Sequence, residues 1–257
     1  MLPSIAALAA GAVALLAWRA GSLTGGGAAA GWLVGTLVLV GTGWAGGAVL
    51  AAFFVSSSVV GRLAPARPSL DAKGERRDER QVAANGGPAA AGALLGLWQP
   101  SLGLWIVTGS LAAAAADTWA TSTGAWSRAA PRLRLLGPLV APGTSGGMTP
   151  LGCAGALVGA VLVAASGAAA GSAPALLPMG TLVGFAGMFA DSVLGSVLQG
   201  RFRCPVCGQA SEWQVHRCGA RTVREGGLGW LDNDGVNLVA TSLAAVLAGV
   251  AWLAWQR

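Results

Sequence analysis

Five long stretches of the chain contain no Asp, Glu, Lys or Arg, and they constrain the fold more than any other feature of the sequence. In chain order they are Met1–Trp18, Ala20–Gly61, Gln81–Ala116, Leu135–Ala190 and Gly235–Gln256. A membrane-spanning helix needs about 20 apolar residues, with a range of roughly 17–25. The first and last stretches therefore fit one crossing each, and the three longer ones fit two each.

The sequence thus predicts a single all-α, polytopic integral membrane domain over residues 1–257, with about eight transmembrane helices. Turn residues occur inside each long stretch, at Gly41-Thr42-Gly43, Gln99-Pro100-Ser101 and Gly171–Pro174. Two of the stretches are short for two helices, so seven crossings or a re-entrant segment are alternatives. Only 10% of residues are charged, whereas a soluble domain carries about 25%. Continuous apolar runs, rather than alternating ones, exclude a membrane barrel.

The basic residues predict the orientation of the chain. All sixteen Lys and Arg except Arg257 lie at Arg19 or within residues 62–80, 128–134 and 201–224. Eight helices place these segments on one side, which the positive-inside rule makes cytoplasmic, with both termini outside an integral cell membrane. A secretory signal peptide at the start is the alternative, although no basic n-region precedes it. Cytoplasmic basic loops explain the net charge of +6, so we expect a bilayer and no nucleic acid as partner.

Two aspartates are the sharpest candidates for chemistry. Asp117 and Asp191 lie near the cytoplasmic ends of apolar helices, and the hydroxyl residues Thr118 and Ser192 follow them. Ionisable side chains at membrane depth usually face a polar cavity or a partner, although both could simply be solvated at the interface. Paired carboxylates with phosphate oxygens are a typical Mg²⁺ shell. The two similar sequences could also mark a parallel repeat of the kind seen in transporters.

A glycine-rich loop leads directly into the helix that begins near Pro150. Glycines allow backbone N–H groups to turn towards an anion, and a helix N-terminus adds positive potential. The alternative is a flexible turn with Thr149 as N-cap and Pro150 at the first helical position. The candidate phosphate-binding residues are Gly143, Thr144, Ser145, Gly146 and Gly147.

The basic segment before the third helix supplies candidate cations for phosphate groups. Lys73 is the only lysine, and Arg77 and Arg80 are spaced to share one helical face with it. Asn85 adds a polar group just inside the membrane helix, as a further candidate for cofactor binding. The alternative is a patch for anionic lipids.

Oxygen-bearing side chains also begin the last helix. Asp232 and Asp234 are candidates to assist Asp117 and Asp191 with Mg²⁺, and Asn233 and Asn237 are candidates for cofactor binding. Asp and Asn are also favoured helix caps, and capping is compatible with a functional role.

The cytoplasmic segment 199–234 holds Cys204, Cys207, His216 and Cys218. Three thiols and an imidazole are the ligand set of a closed, structural zinc site. A cytoplasmic location keeps thiols reduced, which disfavours disulfides. A loop of reduced cysteines without metal is the alternative.

Several of these segments together resemble one membrane family, known as domain of unknown function 92, which includes animal transmembrane protein 19 and plant phytyl-phosphate kinase. The resemblance covers about residues 15–245. Its motifs are Arg80–Gly86, Ala116–Ala120, Pro142–Gly147, Ala190–Gly195, the Cys204/Cys207 pair and Asp232–Asn237. Two positions depart from the family pattern, because Ser122 stands where Glu is usual and Ser145 where Asn is usual.

The resemblance implies a nucleotide-dependent kinase, with CTP or another nucleoside triphosphate as phosphate donor, that converts an isoprenyl monophosphate into the diphosphate. In this interpretation Asp117 and Asp191 hold Mg²⁺, and Lys73, Arg77 and Arg80 neutralise the phosphates of the nucleotide or of the isoprenyl phosphate lipid. The alternative is a transporter or flippase of an anionic isoprenoid lipid, without catalysis.

Overall fold

The computed structural model describes residues 1–65 and 76–257, and these form seven helices with five short strands in the connections. The helices are α1 Pro3–Arg19, α2 Gly25–Leu63, α3 Glu79–Leu95, α4 Pro100–Gly124, α5 Pro150–Ala170, α6 Leu176–Leu198 and α7 Asn233–Trp255. The strands are β1 Arg132–Leu133, β2 Gly147–Met148, β3 Arg201–Arg203, β4 Ala210–Ser211 and β5 Val223–Gly226. Strand β1 pairs antiparallel with β2, and β3 lies between β4 and β5 in an antiparallel sheet.

Helix α2 folds back on itself at Gly43. A straight helix of this length would extend about 58 Å, yet Arg62 near its end donates a hydrogen bond to Ser22, which precedes its start, at 2.7 Å. Gly43 has φ 64° and ψ −154°, a conformation open mainly to glycine. A Cβ added at Gly47 would lie 2.6 Å from the Leu39 side chain, so the two arms run antiparallel. The predicted turn at Gly41-Thr42-Gly43 is confirmed.

The charged connections meet at one end of the helical bundle, which we call the polar end. Leu23 forms a β-bridge with Arg77 there, and the Ser145 hydroxyl donates to Gln199 at 2.8 Å. At the opposite end the Trp252 indole donates to the Ser101 hydroxyl at 3.1 Å. The described charged loops therefore share one face of the bundle.

Helix α4 is the centre of the bundle. Every residue from Gly103 to Ala116 is buried, because α2, α3, α5, α6 and α7 all pack against this helix. Large apolar side chains instead point outward on the surrounding helices, where Leu8, Leu182 and Val246 are each more than 60% exposed. Such an apolar exterior suits contact with lipid.

Four of the described helices, α2, α5, α6 and α7, are long and apolar enough to cross a membrane, and α1 is a shorter apolar helix. A helical chain with several membrane-length apolar segments is thus confirmed, whereas the count of eight crossings stays a prediction. The short strands were not predicted, because they are too brief to leave an alternating pattern in the sequence.

Candidate functional site

The two aspartates face each other across a pair of parallel helices. Thr108 lies against Gly180 of α6, and Ala112 and Ala113 lie against Gly184 and Gly187. Residue numbers increase in the same direction along both helices at this contact. Asp117 and Asp191, one turn further along, are therefore neighbours. Their carboxylates are close enough to interact electrostatically.

Both aspartates lie inside their helices rather than at the ends. Helix α4 continues to Gly124 and α6 to Leu198, about two turns beyond each aspartate. Both side chains are partly buried. The Asp191 Oδ2 atom has no hydrogen-bond partner among the described residues. A buried carboxylate oxygen without a donor is costly, which makes this oxygen available to a cation.

The hydroxyl residues beside the aspartates bond within their own helices. Thr118 donates to the carbonyl of Ala114 at 3.0 Å, and the Ser192 Oγ lies 3.9 Å from the Met188 sulfur. Ser122, the position that departs from the family pattern, is buried in the last turn of α4.

The glycine-rich loop packs onto α6 one turn beyond Asp191. A Cβ at Gly146 would collide with the Ser192 carbonyl and with Ser196, and Ser145 donates to Gln199. The N–H groups of Thr144 and Gly147 are used within the loop. Those of Ser145 and Gly146 donate to no other described residue. The loop therefore presents two N–H donors at the polar end.

The alternative interpretation of this segment, a helix cap, is seen in the structure, and one polar residue beside the loop was missed. Thr149 caps α5 by accepting from the Gly152 N–H at 3.0 Å, with Pro150 at the first helical position, as predicted. Gln199 was missed by the sequence analysis. It is 1% exposed and its amide nitrogen has no partner among the described residues. Its one signal in the sequence is a polar residue directly after an apolar run.

The start of α7 lies beside the start of α3 at the polar end. Asp232 caps α7 by accepting from the Gly235 N–H at 3.0 Å, and its other oxygen accepts from Arg80 at 2.7 Å. Arg80 also lies 3.9 Å from Asp234. Both oxygens of Asp232 thus already accept hydrogen bonds from protein groups. Asp232 is therefore better suited to orienting Arg80 than to binding a metal.

Asn237 and Asn233, both candidates for cofactor binding, lie in different environments in the structure. Ala244 packs against Gly187 of α6. Asn237, two turns closer to the polar end, is therefore within about 5 Å of the level of Asp117 along the helix axes. Asn237 is buried, and so is Asp234. Asn233 is exposed at the first position of α7, so it does not share this buried environment.

Arg77 does not share a helical face with Arg80, so that prediction was wrong. Asp78 forms a capping box with Gln81, which starts α3 at Glu79 and leaves Arg77 in the preceding extended segment. Its guanidinium lies over the Phe53 and Phe54 rings, 5.5 and 5.7 Å from their centroids. Burial lowers the pKa of Arg77 to about 10. Lys73 lies outside the described residues.

An apolar cavity of about 450 Å³ lies between α1, both arms of α2 and the start of α3. Its few polar lining groups are Arg77, Gln81 and Asn85, all at the polar end. Asn85 donates to the Gln81 carbonyl at 3.0 Å, which leaves its amide oxygen as the group that can accept. The cavity therefore combines apolar walls with a cation at the polar end.

The predicted cysteine and histidine ligands form a separate cluster in the α6–α7 connection. One ligand atom from each of Cys204, Cys207, His216 and Cys218 lies within 4.8 Å of all the others. The fourth cysteine, Cys153, is remote in α5 and free.

Comparison with known proteins places the chain among membrane proteins. A family model described as Integral membrane protein DUF92 matches residues 8–245. Protein PGR of Arabidopsis thaliana is 32% identical over 270 residues, which cover 93% of this chain and 92% of the plant protein. An uncharacterized membrane protein of Methanocaldococcus jannaschii is 26% identical over 200 residues, covering 77% of this chain and 73% of the archaeal protein. No solved structure matches.

Proposed function

Because the chain belongs to the integral membrane protein family DUF92, we propose that it is a membrane-embedded kinase that converts an isoprenyl monophosphate into the diphosphate. The phosphate donor is CTP or another nucleoside triphosphate. The observation that supports this proposal most is the pairing of Asp117 with Asp191 beside a glycine-rich loop with two N–H groups that have no acceptor among the described residues. The family match agrees with the resemblance found in the sequence, and the kinase activity is our proposal.

Asp117 and Asp191 would hold Mg²⁺ against the nucleotide phosphates. Two carboxylates in one partly apolar site repel each other, and a divalent cation relieves that repulsion. The unpaired Oδ2 of Asp191 supports this role. In the proposed reaction a phosphate oxygen of the lipid attacks the terminal phosphorus of the nucleotide, and the nucleoside diphosphate leaves. Phosphoryl transfer depends mainly on positioning and charge neutralisation, so no histidine base is required.

The nucleotide phosphates would lie between the glycine-rich loop and the start of α7. The N–H groups of Ser145 and Gly146 provide two donors, and Arg80 provides a cation held in place by Asp232. Asn237 is buried at the neighbouring level of α7, where its amide can reach a ligand near the carboxylates. This arrangement assigns Asp232 to orienting Arg80, while Asp117 and Asp191 remain the metal-binding pair.

The lipid tail would occupy the cavity between α1, α2 and α3. Its walls are apolar over most of their extent, as an isoprenyl chain requires, and Arg77 provides the cation for the phosphate head at the polar end. A guanidinium that already rests on Phe53 and Phe54 is held in position before the phosphate arrives. The lipid phosphate at Arg77 and the nucleotide phosphates at Arg80 would thus be neighbours, as direct attack requires, since the two arginines are three residues apart.

The same proposal assigns the polar end to the cytoplasm and both termini to the outside. The hairpin in α2 returns Arg62 to Ser22, which is the geometry required if α2 crosses twice. With the other helices each crossing once, the chain would cross eight times. Eight crossings keep every basic connection on one side, in agreement with the positive-inside rule.

The test is an assay of purified protein with Mg²⁺, labelled CTP, ATP or GTP, and a set of isoprenyl monophosphates, scored for diphosphate. We expect diphosphate from one lipid class, and no product from the Asp117→Asn variant. The Ser122→Glu variant, assayed in parallel, restores the acidic residue usual in the family. No product from the wild type and from Ser122→Glu would overturn the kinase proposal.

A transporter or flippase of an anionic isoprenoid lipid is the second candidate. It is favoured by the parallel packing of α4 and α6, which carry the similar sequences Ala116-Asp117-Thr118 and Ala190-Asp191-Ser192. A lipid head that crosses the bilayer needs polar groups along its path. Between Asp117 and the end of α4 opposite the polar end, the only buried polar side chains are Thr108 and Ser110. So few polar groups favour the kinase. Movement of a labelled lipid phosphate across proteoliposomes without any nucleotide would favour the transporter.

A further inference from the structure

The α6–α7 connection contains a small sheet with very little apolar core. Its strands are two to four residues long, and Phe202 and Leu231 are its main buried apolar side chains. Val206, Val215, Val223 and Trp230 are all more than half exposed. A unit of this size cannot bury enough apolar surface to hold its fold, and such units usually depend on a crosslink or a metal.

We propose that Cys204, Cys207, His216 and Cys218 bind one Zn²⁺ ion, and that this metal fixes the sheet at the polar end. The Cys204 and Cys218 sulfurs are 3.6 Å apart, and the His216 Nδ1 lies 3.2 Å from the Cys218 sulfur. Tetrahedral zinc with bonds of about 2.3 Å to sulfur places two sulfur ligands about 3.8 Å apart. All four ligand atoms lie within 4.8 Å of one another, so the cluster needs to close by no more than about 1 Å around the ion.

The two pairs of ligands lie in similar backbone turns. In the first turn the Cys207 N–H points at the Cys204 sulfur at 3.4 Å, and Gly208 follows with φ +67°. In the second turn the Cys218 N–H lies 3.4 Å from the His216 Nδ1, a contact that zinc on this nitrogen would replace, and Gly219 follows with φ +83°. Each pair thus sits in a tight turn that ends in a left-handed glycine. Two such turns facing each other provide four ligands with no open position.

The cluster is built for metal rather than for a disulfide. A disulfide needs a sulfur–sulfur distance of about 2.05 Å, and the three thiols are free. A disulfide between Cys204 and Cys218 would also leave Cys207 and His216 without a role. Four ligands with no substrate position indicate a structural site, since a catalytic zinc keeps one position open.

The metal would act on the candidate site through the backbone. The Gly200 N–H donates to the Leu231 carbonyl at 2.9 Å, and the Leu228 N–H donates to the Leu198 carbonyl at 2.8 Å. These bonds join the end of α6 to the residues that precede α7. Zinc at the far end of the sheet would therefore help to hold Gln199 and Asp232 in place. Binding free energy at such sites is folding free energy.

The direct test is metal analysis of the full-length protein purified in detergent without chelator. We expect about one zinc per chain, released when a mercurial reagent modifies the thiols. The Cys204→Ser and Cys218→Ser variants should lose the metal, whereas Cys153→Ser, a matched change of the remaining cysteine in α5, should keep it. Co²⁺ in place of Zn²⁺ should give the absorption bands of a tetrahedral site with thiolate ligands.

The outcome does not depend on the kinase proposal, because it is read from metal content and spectra. If the serine variants fail to fold, alkylation of the wild type provides the second measurement. Cys204, Cys207 and Cys218 should resist alkylation until a chelator is added, while the reactivity of Cys153 should not respond to the chelator. Wild-type protein without bound metal after incubation with Zn²⁺, a Cys204–Cys218 disulfide, or a different resident metal would each overturn the proposal.

Discussion

The guanidinium of Arg80, in the first turn of α3, lies 2.7 Å from the carboxylate of Asp232, which caps α7 152 residues later in the chain. One oxygen of Asp232 accepts from the Gly235 N–H and the other accepts from Arg80. A single carboxylate therefore starts a helix and orients a cation. Because the Arg80 side chain is 62% exposed, the pair contributes little to stability by itself.

This relationship predicts different effects for its two partners. In Asp232→Asn the amide still caps α7, so the thermal midpoint should change little while Arg80 loses its orientation and the KM for nucleotide rises several-fold. In Arg80→Ala the cation itself is lost, and KM should rise about tenfold or more, as for a charge-assisted hydrogen bond. Arg128→Ala, a change of an exposed arginine in the α4–α5 connection, should leave KM unchanged. An equal KM for nucleotide in Arg80→Ala and the wild type would show that Arg80 does not bind the nucleotide.

Loss of either central aspartate should abolish turnover without unfolding the protein. Asp117→Asn and Asp191→Asn each keep the side-chain shape but remove a charge that would hold Mg²⁺. We expect turnover to fall at least about a hundredfold, as when a preorganised electrostatic group is removed. The thermal midpoint without Mg²⁺ should stay the same or rise, because a repulsion is removed. Glu79→Gln, an exposed carboxylate at the same end, is the control; turnover that survives both Asp variants contradicts the assignment.

Gly146 should not tolerate a side chain. Its φ is +76°, and an added Cβ would collide with the Ser192 carbonyl and with Ser196. Gly146→Ala should therefore displace the loop from α6, lower stability by about 1–3 kcal/mol and weaken nucleotide binding. Gly87→Ala is the matched control, since nothing lies within 4 Å of its added Cβ. Thermal unfolding and nucleotide binding of the two variants measure the difference, and identical behaviour would mean that the loop is not docked as described.

The cation at Arg77 predicts the alkaline limit of activity. Burial lowers the pKa of Arg77 to about 10, and the charged, protonated form exists below that pH and is lost above it. In Arg77→Lys the same burial would lower the pKa of an ammonium, whose ordinary pKa is already below that of a guanidinium. The alkaline fall in kcat/KM should therefore begin at a lower pH in the variant than in the wild type. Arg62→Lys should keep the wild-type profile; a profile of Arg77→Lys that matches it would exclude Arg77 from phosphate binding.

The sequence alone determined the helical, membrane-length character of the chain and several local features. Apolar runs and turn chemistry are local properties, so the turn at Gly43 and the caps Thr149 and Asp232 followed from a few neighbouring residues. Cys204, Cys207, His216 and Cys218 were predicted as candidate zinc ligands by residue type and spacing, and the structure brings them together.

Only the tertiary structure decided which distant groups meet. The facing of Asp117 and Asp191 depends on the register of two helices, which is set by small residues packing at Ala112 and Gly184 and not by any pattern within one helix. The Arg80–Asp232 pair and the burial of Gln199 likewise depend on contacts between remote segments. The helical face expected for Arg77 was wrong because the capping box of Asp78 starts α3 only at Glu79. Local propensity fixes the elements, whereas packing of complementary surfaces fixes the site.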